Sequence, residues 1–352
     1  EGYATYYQWL SEQNLYGKDF YDYERYKAQS QIEAASLGDS LPLAHPKAGS
    51  ARFYQKGAWV LHLLVQKIGR DTFRQAMVNY LNAYPMGVVT TDSLQLTLEK
   101  TCECSLEQFF KQWVYMPYEP ALTLQERVND KALQVKVNYT KGFALPLHFV
   151  VYLKNGSTDT LRVETEPQQN SALFTLAQKA DDIETWQLLN APHLLAYLKV
   201  FKPQGRWFQQ YPKSTAMLNQ LRVVEAMESF TDKESVRFLE KVLEDENTHF
   251  KVRHRALELL LTKTSKLSQK QDYLLLALRS QDVQLQKMAV YNVDETNTAL
   301  HNRLVYLRRY GQSYQLRAAA LARTVNFKSQ DANKWLYDSI WEQQPGLPDN
   351  EV

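Results

Sequence analysis

Glu1-Gly2-Tyr3-Ala4-Thr5-Tyr6-Tyr7 opens the chain, and Phe53-Tyr54-Gln55-Lys56-Gly57-Ala58 stands further along it. Residues Gly2–Leu10 read as a helix headed by the Glu1 carboxylate. From Gln55 to Ile68, the positions Gly57, Ala58, Leu61, Leu64, Val65 and Ile68 recur on one face of a 3.6-residue helix. Gly69 is a natural stop for it. A further helix follows Asp71 through Phe73, Ala76, Met77, Tyr80 and Leu81, and Pro85 and Gly87 interrupt it. Thr91 or Asp92 can cap a helix carrying Leu94, Leu96 and Leu98. Ser105-Leu106-Glu107-Gln108 fits a capping box ahead of Phe109, Phe110, Trp113 and Val114. Pro117 and Pro120 end helical structure. The stretch 38–49, with Pro42 and Pro46, reads as an irregular loop. Residues 1–117 are therefore expected to form a helical domain.

The period then changes. Leu133-Gln134-Val135-Lys136-Val137-Asn138-Tyr139 alternates apolar and polar, as a half-buried strand does. Residues 145–153, 160–163, 172–176 and 185–189 continue as short β-prone runs, and Asn155-Gly156 is a hairpin signal between two of them. Residues 118–202 are expected to form a small antiparallel β-sandwich.

Residues 203–352 return to helical patterning with a weak repeat. Ala226, Ala256, Ala289 and Ala320 sit at similar places in similar strings, at spacings of 30, 33 and 31. A small residue at a fixed place lets paired helices approach closely, and such a period marks stacked helix pairs of HEAT or armadillo type. The strings around Asp245…Val252-Arg253 and Asp282…Leu285 resemble HEAT repeats. A plain helical bundle is the alternative.

At 352 residues the chain is too long for one ordinary core. Its 44% apolar and 23% charged residues describe a globular protein. The longest apolar runs, such as Val60–Val65, are far shorter than a membrane span. Net charge is +2, and residues 203–352 carry 21 Lys/Arg against 18 Asp/Glu, so no large single-sign surface argues for nucleic acid. The cysteines are Cys102 and Cys104. Their Cys-x-Cys spacing looks too short for an easy disulfide and supplies too few ligands for a structural zinc, so two partly buried thiols are expected. The compartment is not legible.

The strings at 1–7 and 53–58 together resemble the second half of the catalytic domain of the M1 family of zinc aminopeptidases, the gluzincin class. The run Val89-Thr90-Thr91-Asp92-Ser93-Leu94 and the run Ser105–Val114 are similar to a structural stretch of that family. The resemblance follows the whole chain in order. It implies the helical second half of a thermolysin-like catalytic domain, then a β-sandwich, then a HEAT-like helical domain. It further implies zinc as cofactor, Glu1 as the third metal ligand beside two histidines of an HExxH helix, and Tyr54 as the phenol facing the scissile carbonyl. Gly2 and Ala4 would leave room beside the metal. Gly57 and Ala58 are expected to serve close helix packing.

The HExxH helix and the family's GxMEN strand are absent from this sequence. No pair of the seven histidines has HExxH spacing, and none is expected to hold the metal; His62 reads as a packed or surface imidazole. The expectation is therefore the C-terminal portion of a metallo-aminopeptidase acting on peptide substrates. It would be inactive by itself and would not bind zinc tightly. Apolar surface laid bare on residues 1–117 would favour self-association. The competing reading is an inactive M1-like scaffold that binds partners through its helical repeats.

Overall fold

The structure, a computed structural model, describes residues 1–38, 40–177, 179–294 and 297–326. The part of the expected repeat domain beyond residue 326 lies outside the described residues. The chain divides into two compact units, Glu1–Asn219 and Gln220–Val352.

The first unit opens with α1 (Gly2–Tyr16) and α2 (Lys18–Gly38), separated at Gly17, whose φ of +87° is open to glycine at no steric cost. A π-helical turn, Arg52–Lys56, runs directly into α3 (Gly57–Ile68). Then come α4 (Arg70–Ala83), α5 (Thr91–Cys102) and the short α6 (Glu107–Phe110), which ends in a second π turn at Lys111–Tyr115. Helix α3 buries seven consecutive residues, Ala58–Leu64, because other elements cover it on all sides.

Two sheets follow. One has strand order β5-β2-β1-β7 and the other β4-β3-β6. Their ranges are β1 Ala121–Asn129, β2 Ala132–Tyr139, β3 Pro146–Leu153, β4 Thr158–Glu164, β5 Ser171–Ala177, β6 Ile183–Leu188 and β7 Tyr197–Phe201. Buried Leu124, Val135, Val137, Phe149, Val151 and Trp186 join the helices' Trp59, Leu64 and Trp113 in one continuous core. Helix α7 (Gln204–Gln210) follows.

Several local expectations need correction. The β part is not purely antiparallel, because β1 and β7 pair in parallel, Leu122 opposite Leu198. Neither strand was read from the sequence. β7 is short, and β1 ends in mostly exposed polar residues that mask its alternation. The cap of α5 is Thr90, one residue earlier than expected, in a reciprocal box with Ser93. The box expected at Ser105–Gln108 does not form. Leu106 is the N-cap of that helix, and the Gln108 amide instead donates to the Gly142 carbonyl at 2.8 Å. Cys102 and Cys104 are not free thiols but a disulfide. Between them Glu103 takes the left-handed conformation (φ 52°, ψ 38°), which ends α5 and folds the two Cα atoms to 5.2 Å, inside the range a disulfide accepts.

The second unit is helical: α8 (Met217–Ala226, whose first residues belong to the first unit), α9 (Lys233–Glu244), α10 (Phe250–Lys263), α11 (Leu267–Arg279), α12 (Val283–Tyr291), α13 (Thr298–Tyr310) and α14 (Tyr314–Asn326). Sequence neighbours α9/α10, α11/α12 and α13/α14 pack together, and α10, α12 and α14 form a row of their own. Ala256, Ala289 and Ala320 lie in that row and are fully buried. Asp232, Asp282 and Asn297 cap α9, α12 and α13 through their side chains.

Arg253 of α10 ties three segments together. Its guanidinium donates to the Leu243 carbonyl at 2.9 Å, to both Glu246 oxygens at 2.8–2.9 Å and to the Ser280 hydroxyl at 2.9 Å. Replacing it with alanine strands those acceptors. We expect Arg253→Ala to lose about 2–3 kcal/mol in urea unfolding, since hydrogen bonds to charged groups contribute more than neutral ones. A loss below about 0.5 kcal/mol would show that water replaces the guanidinium without cost.

Candidate functional site

The two strings that open the sequence reading meet at the junction of α1 and α3. A Cβ on Gly2 would lie 2.8 Å from the backbone C and Cα of Gly57, and a Cβ on Gly57 would lie 3.0 Å from the Gly2 Cα. No side chain fits there, so the contact exists because both residues are glycine. The space at Gly2 is therefore filled by the Gly57 backbone rather than kept open for a ligand. This contact makes the residues around Glu1 and those around Tyr54 spatial neighbours.

Glu1 is exposed at the N-terminus of α1. Its carbonyl accepts the Thr5 N–H at 3.1 Å, and its side chain makes no capping hydrogen bond. Tyr54 sits in the middle of the π turn and is 42% exposed. The Gly57 N–H closes that turn by donating to the Arg52 carbonyl. Turns of this kind recur at functional sites.

The residues on either side of Tyr54 point inward. Lys56 and Glu119 form an ion pair at 2.9 Å with both side chains sealed from solvent, held by charge rather than by an aligned hydrogen bond. The Ser36 hydroxyl donates to the other Glu119 oxygen. Arg52, 1% exposed, donates to the Ala48 and Ala35 carbonyls at 3.3 and 3.4 Å. Breaking a buried pair such as Lys56–Glu119 costs about 3–5 kcal/mol. The turn is thus clamped from below while its phenol stays accessible. Sequence reading did not find Glu119, which is remote in the chain and in no motif.

A catalytic zinc takes three protein ligands. Among the described residues no group of three or more His, Cys, Asp or Glu could hold a metal ion. A lone Glu1 carboxylate does not make such a donor set, so these residues by themselves do not fit a resident zinc, and no chemical step through one follows from them.

A second polar cluster lies beneath α3. The His62 imidazole is 3% exposed. Its Nδ1 is 2.8 Å from the Tyr21 hydroxyl, and its Nε2 is 3.2 Å from the Arg25 guanidinium and 3.1 Å from His193 Nδ1. Arg25 also binds Asp22 at 2.5 Å and donates to the Pro192 carbonyl at 2.7 Å. The faces of Tyr21 and Trp59 lie 4.8 and 5.0 Å from its charge. Burial, with Arg25 and His193 alongside, holds His62 well below the usual imidazole range. Burial, with Arg25 next in effect, brings His193 down to about 4.

Two predictions follow from this geometry. Gly2→Ala forces backbone apart. Overpacking costs about 1–3 kcal/mol, set against a gain of about 1 kcal/mol for alanine over glycine in a helix. A net loss of up to about 2 kcal/mol in thermal or urea unfolding is expected, whereas a stabilised variant would show that α1 and α3 do not need this contact. The histidines give a pH dependence of known sign. Their folded pKa values lie below the unfolded value, so the unfolded chain takes up protons first as pH falls. Stability is complete above about 6.5 and declines toward about 4, by on the order of 3 kcal/mol from His193. In urea titrations from pH 7.5 to 4, His193→Gln should flatten that slope, and an unchanged slope would remove His193 from the account.

Comparison with known proteins finds similarity to aminopeptidases. Residues 1–113 match the Peptidase family M1 domain. "Probable aminopeptidase 1" of Sulfurisphaera tokodaii is 26% identical over 119 residues, which are 32% of this chain and 15% of that protein. "Probable aminopeptidase 1" of Saccharolobus solfataricus is 24% identical over 134 residues, 35% of this chain and 17% of that protein. "Aminopeptidase 2, mitochondrial" of Saccharomyces cerevisiae is 28% identical over 143 residues, 37% of this chain and 15% of that protein. The chain thus aligns with less than a fifth of the length of these relatives. Among solved structures, Legionella pneumophila aminopeptidase A in complex with aspartic acid shares the fold, with a TM-score of 0.58 at 13% identity over 97% of this chain and 42% of that one. The matched stretch, residues 1–113, carries both the Glu1-Gly2 and the Tyr54–Ala58 strings and is similar to the Peptidase family M1 domain.

Proposed function

We propose that this chain is the C-terminal portion of a zinc-dependent aminopeptidase that removes N-terminal residues from peptides. Glu1 serves as one metal ligand, and the Tyr54 hydroxyl donates to the oxyanion formed on the attacked carbonyl. The observation that carries this reading is the Gly2–Gly57 contact, which makes neighbours of the stretches bearing the carboxylate and the phenol. A second support is the exposure of Tyr54 on a turn whose two basic side chains, Arg52 and Lys56, are buried. A phenol stays protonated at neutral pH, so it can donate to a developing negative charge, and a donor of this kind lowers a barrier by about 2.7–4 kcal/mol. The remaining metal ligands and the general base are not among these residues, so the 352-residue polypeptide is inactive by itself. The row of α10, α12 and α14, with a buried alanine in each, supports a HEAT-type reading of the second unit.

The test has two arms. The purified chain is expected to show no zinc-dependent cleavage of leucine p-nitroanilide. In a longer protein carrying HExxH upstream of Glu1, Tyr54→Phe is expected to lower kcat about 10²–10³-fold with little change in KM. There Glu1→Gln is expected to lower bound zinc. Turnover by the short chain, or full activity of Tyr54→Phe, would overturn the proposal. An upstream sequence without HExxH would favour the scaffold reading.

A further inference from the structure

The first unit contains a cavity of about 680 Å³ that neither Glu1 nor Tyr54 lines. It lies at the far end of α3, where Gln66 and Lys67 border it, about 14 Å of helix rise beyond Gly57. Its floor is the outward face of β3, whose inward face, Leu147, Phe149 and Val151, belongs to the core. A volume of this size suits a small organic ligand.

The polar groups around it are unbalanced. Lys18, Lys67 and Lys213 border the cavity against one carboxylate, Glu164. Lys18 is matched by Asp22, and Lys213 by Glu184 at 2.7 Å, a half-buried pair that leaves the other Lys213 ammonium protons unspent. Lys67 has no carboxylate partner among the described residues. The Tyr152 hydroxyl accepts from the Gln187 amide at 2.8 Å, and its own proton has no acceptor among the described residues. Lys213 Nζ stands 5.3 Å from the Tyr152 ring, so ammonium and phenol share one end of the cavity. Two of the amides, by contrast, are used up. Gln112 binds both backbone groups of Ala144, and Asn190 binds the His148 N–H and the Pro146 carbonyl. Donors without acceptors at one end call for an anion. The rest of the wall is apolar, with Leu63, Trp113, Leu145 and Leu194. Tyr152 and His148 lie on the same face of β3, about 13 Å apart along the strand, which sets the length of the apolar body.

We infer that this cavity binds a small carboxylate with an apolar body about 10 Å long, the two carboxylate oxygens accepting from Tyr152 and Lys213 and the body lying against Trp113 and Leu194. The inference does not depend on the Glu1–Tyr54 reading, and a chain without peptidase activity can test it.

The experiment is calorimetric titration of the full chain with 4-phenylbutyrate, 4-phenylbutylammonium and 4-phenylbutanol. We expect the carboxylate to bind at least tenfold more tightly than either analogue. The double variant Y152F/K213M should weaken the carboxylate at least tenfold while leaving the alcohol unchanged. Because Lys213 also pairs with Glu184, unchanged circular dichroism and melting temperature must accompany that loss. Ala216→Trp, which fills the cavity without touching its charges, should abolish binding of all three. Equal binding of the three probes, no carboxylate binding at millimolar concentration, or carboxylate binding unaffected by either variant would each overturn the inference.

Discussion

Two backbones that touch hold the first unit's candidate site in place. Gly2 and Gly57 let α1 and the start of α3 approach more closely than any side chain permits. Everything nearby inherits its position from that contact. With α3 located, the π turn before it has one orientation in which Arg52 and Lys56 reach carbonyls and a carboxylate in the interior. Residue 54, between them, then has to face solvent. The exposure of the phenol is thus a consequence of burying its two basic neighbours. Their burial is tolerable because each finds a charge or carbonyl partner.

The same logic joins the helices to the sheets. A loop carbonyl at Pro192 would be costly to bury unsatisfied, and Arg25 reaches it from α2. Gln29 does the same for the Ala196 carbonyl, Tyr197 for that of Glu33, and Gln112 for both polar groups of Ala144. These contacts cross between the helical part and the β part, and the apolar core is continuous through them. This is why the chain from Glu1 to Asn219 packs as one compact unit although its hydrophobic period changes near residue 118. In the middle of this junction Arg25 supplies the positive charge, and His62 and His193 stay neutral beside it. A protonated imidazole there would add a buried like charge.

Much of the architecture was legible before any coordinates. The helical face from Gly57 to Ile68, the alternation at Leu133–Tyr139 and the Asn155-Gly156 turn each depend on neighbours within a few residues. Each appears as an element or a buried position. The misreadings share a cause. Ser105–Gln108 has the composition of a capping box, but Gln108 finds a better acceptor at Gly142, remote in sequence. The Cys-x-Cys spacing looked unfavourable until Glu103 adopted a left-handed conformation that spacing cannot reveal. The β1 strand is recognisable once β7 lies beside it, some seventy residues later.

For the candidate site, the sequence by itself determined which residues are proposed to carry the chemistry: a carboxylate followed by glycine, and a phenol followed by Gln-Lys-Gly-Ala. Residue type and short-range order are enough for that, because a motif is a local property. Only the tertiary structure decided that the two glycines touch, that Glu119 clamps the turn, that His62 meets His193, and that a cavity rich in donors opens at the opposite end of α3. Those facts concern groups separated by dozens to more than a hundred residues. Their meeting depends on the path of the whole chain, and no local period encodes that path.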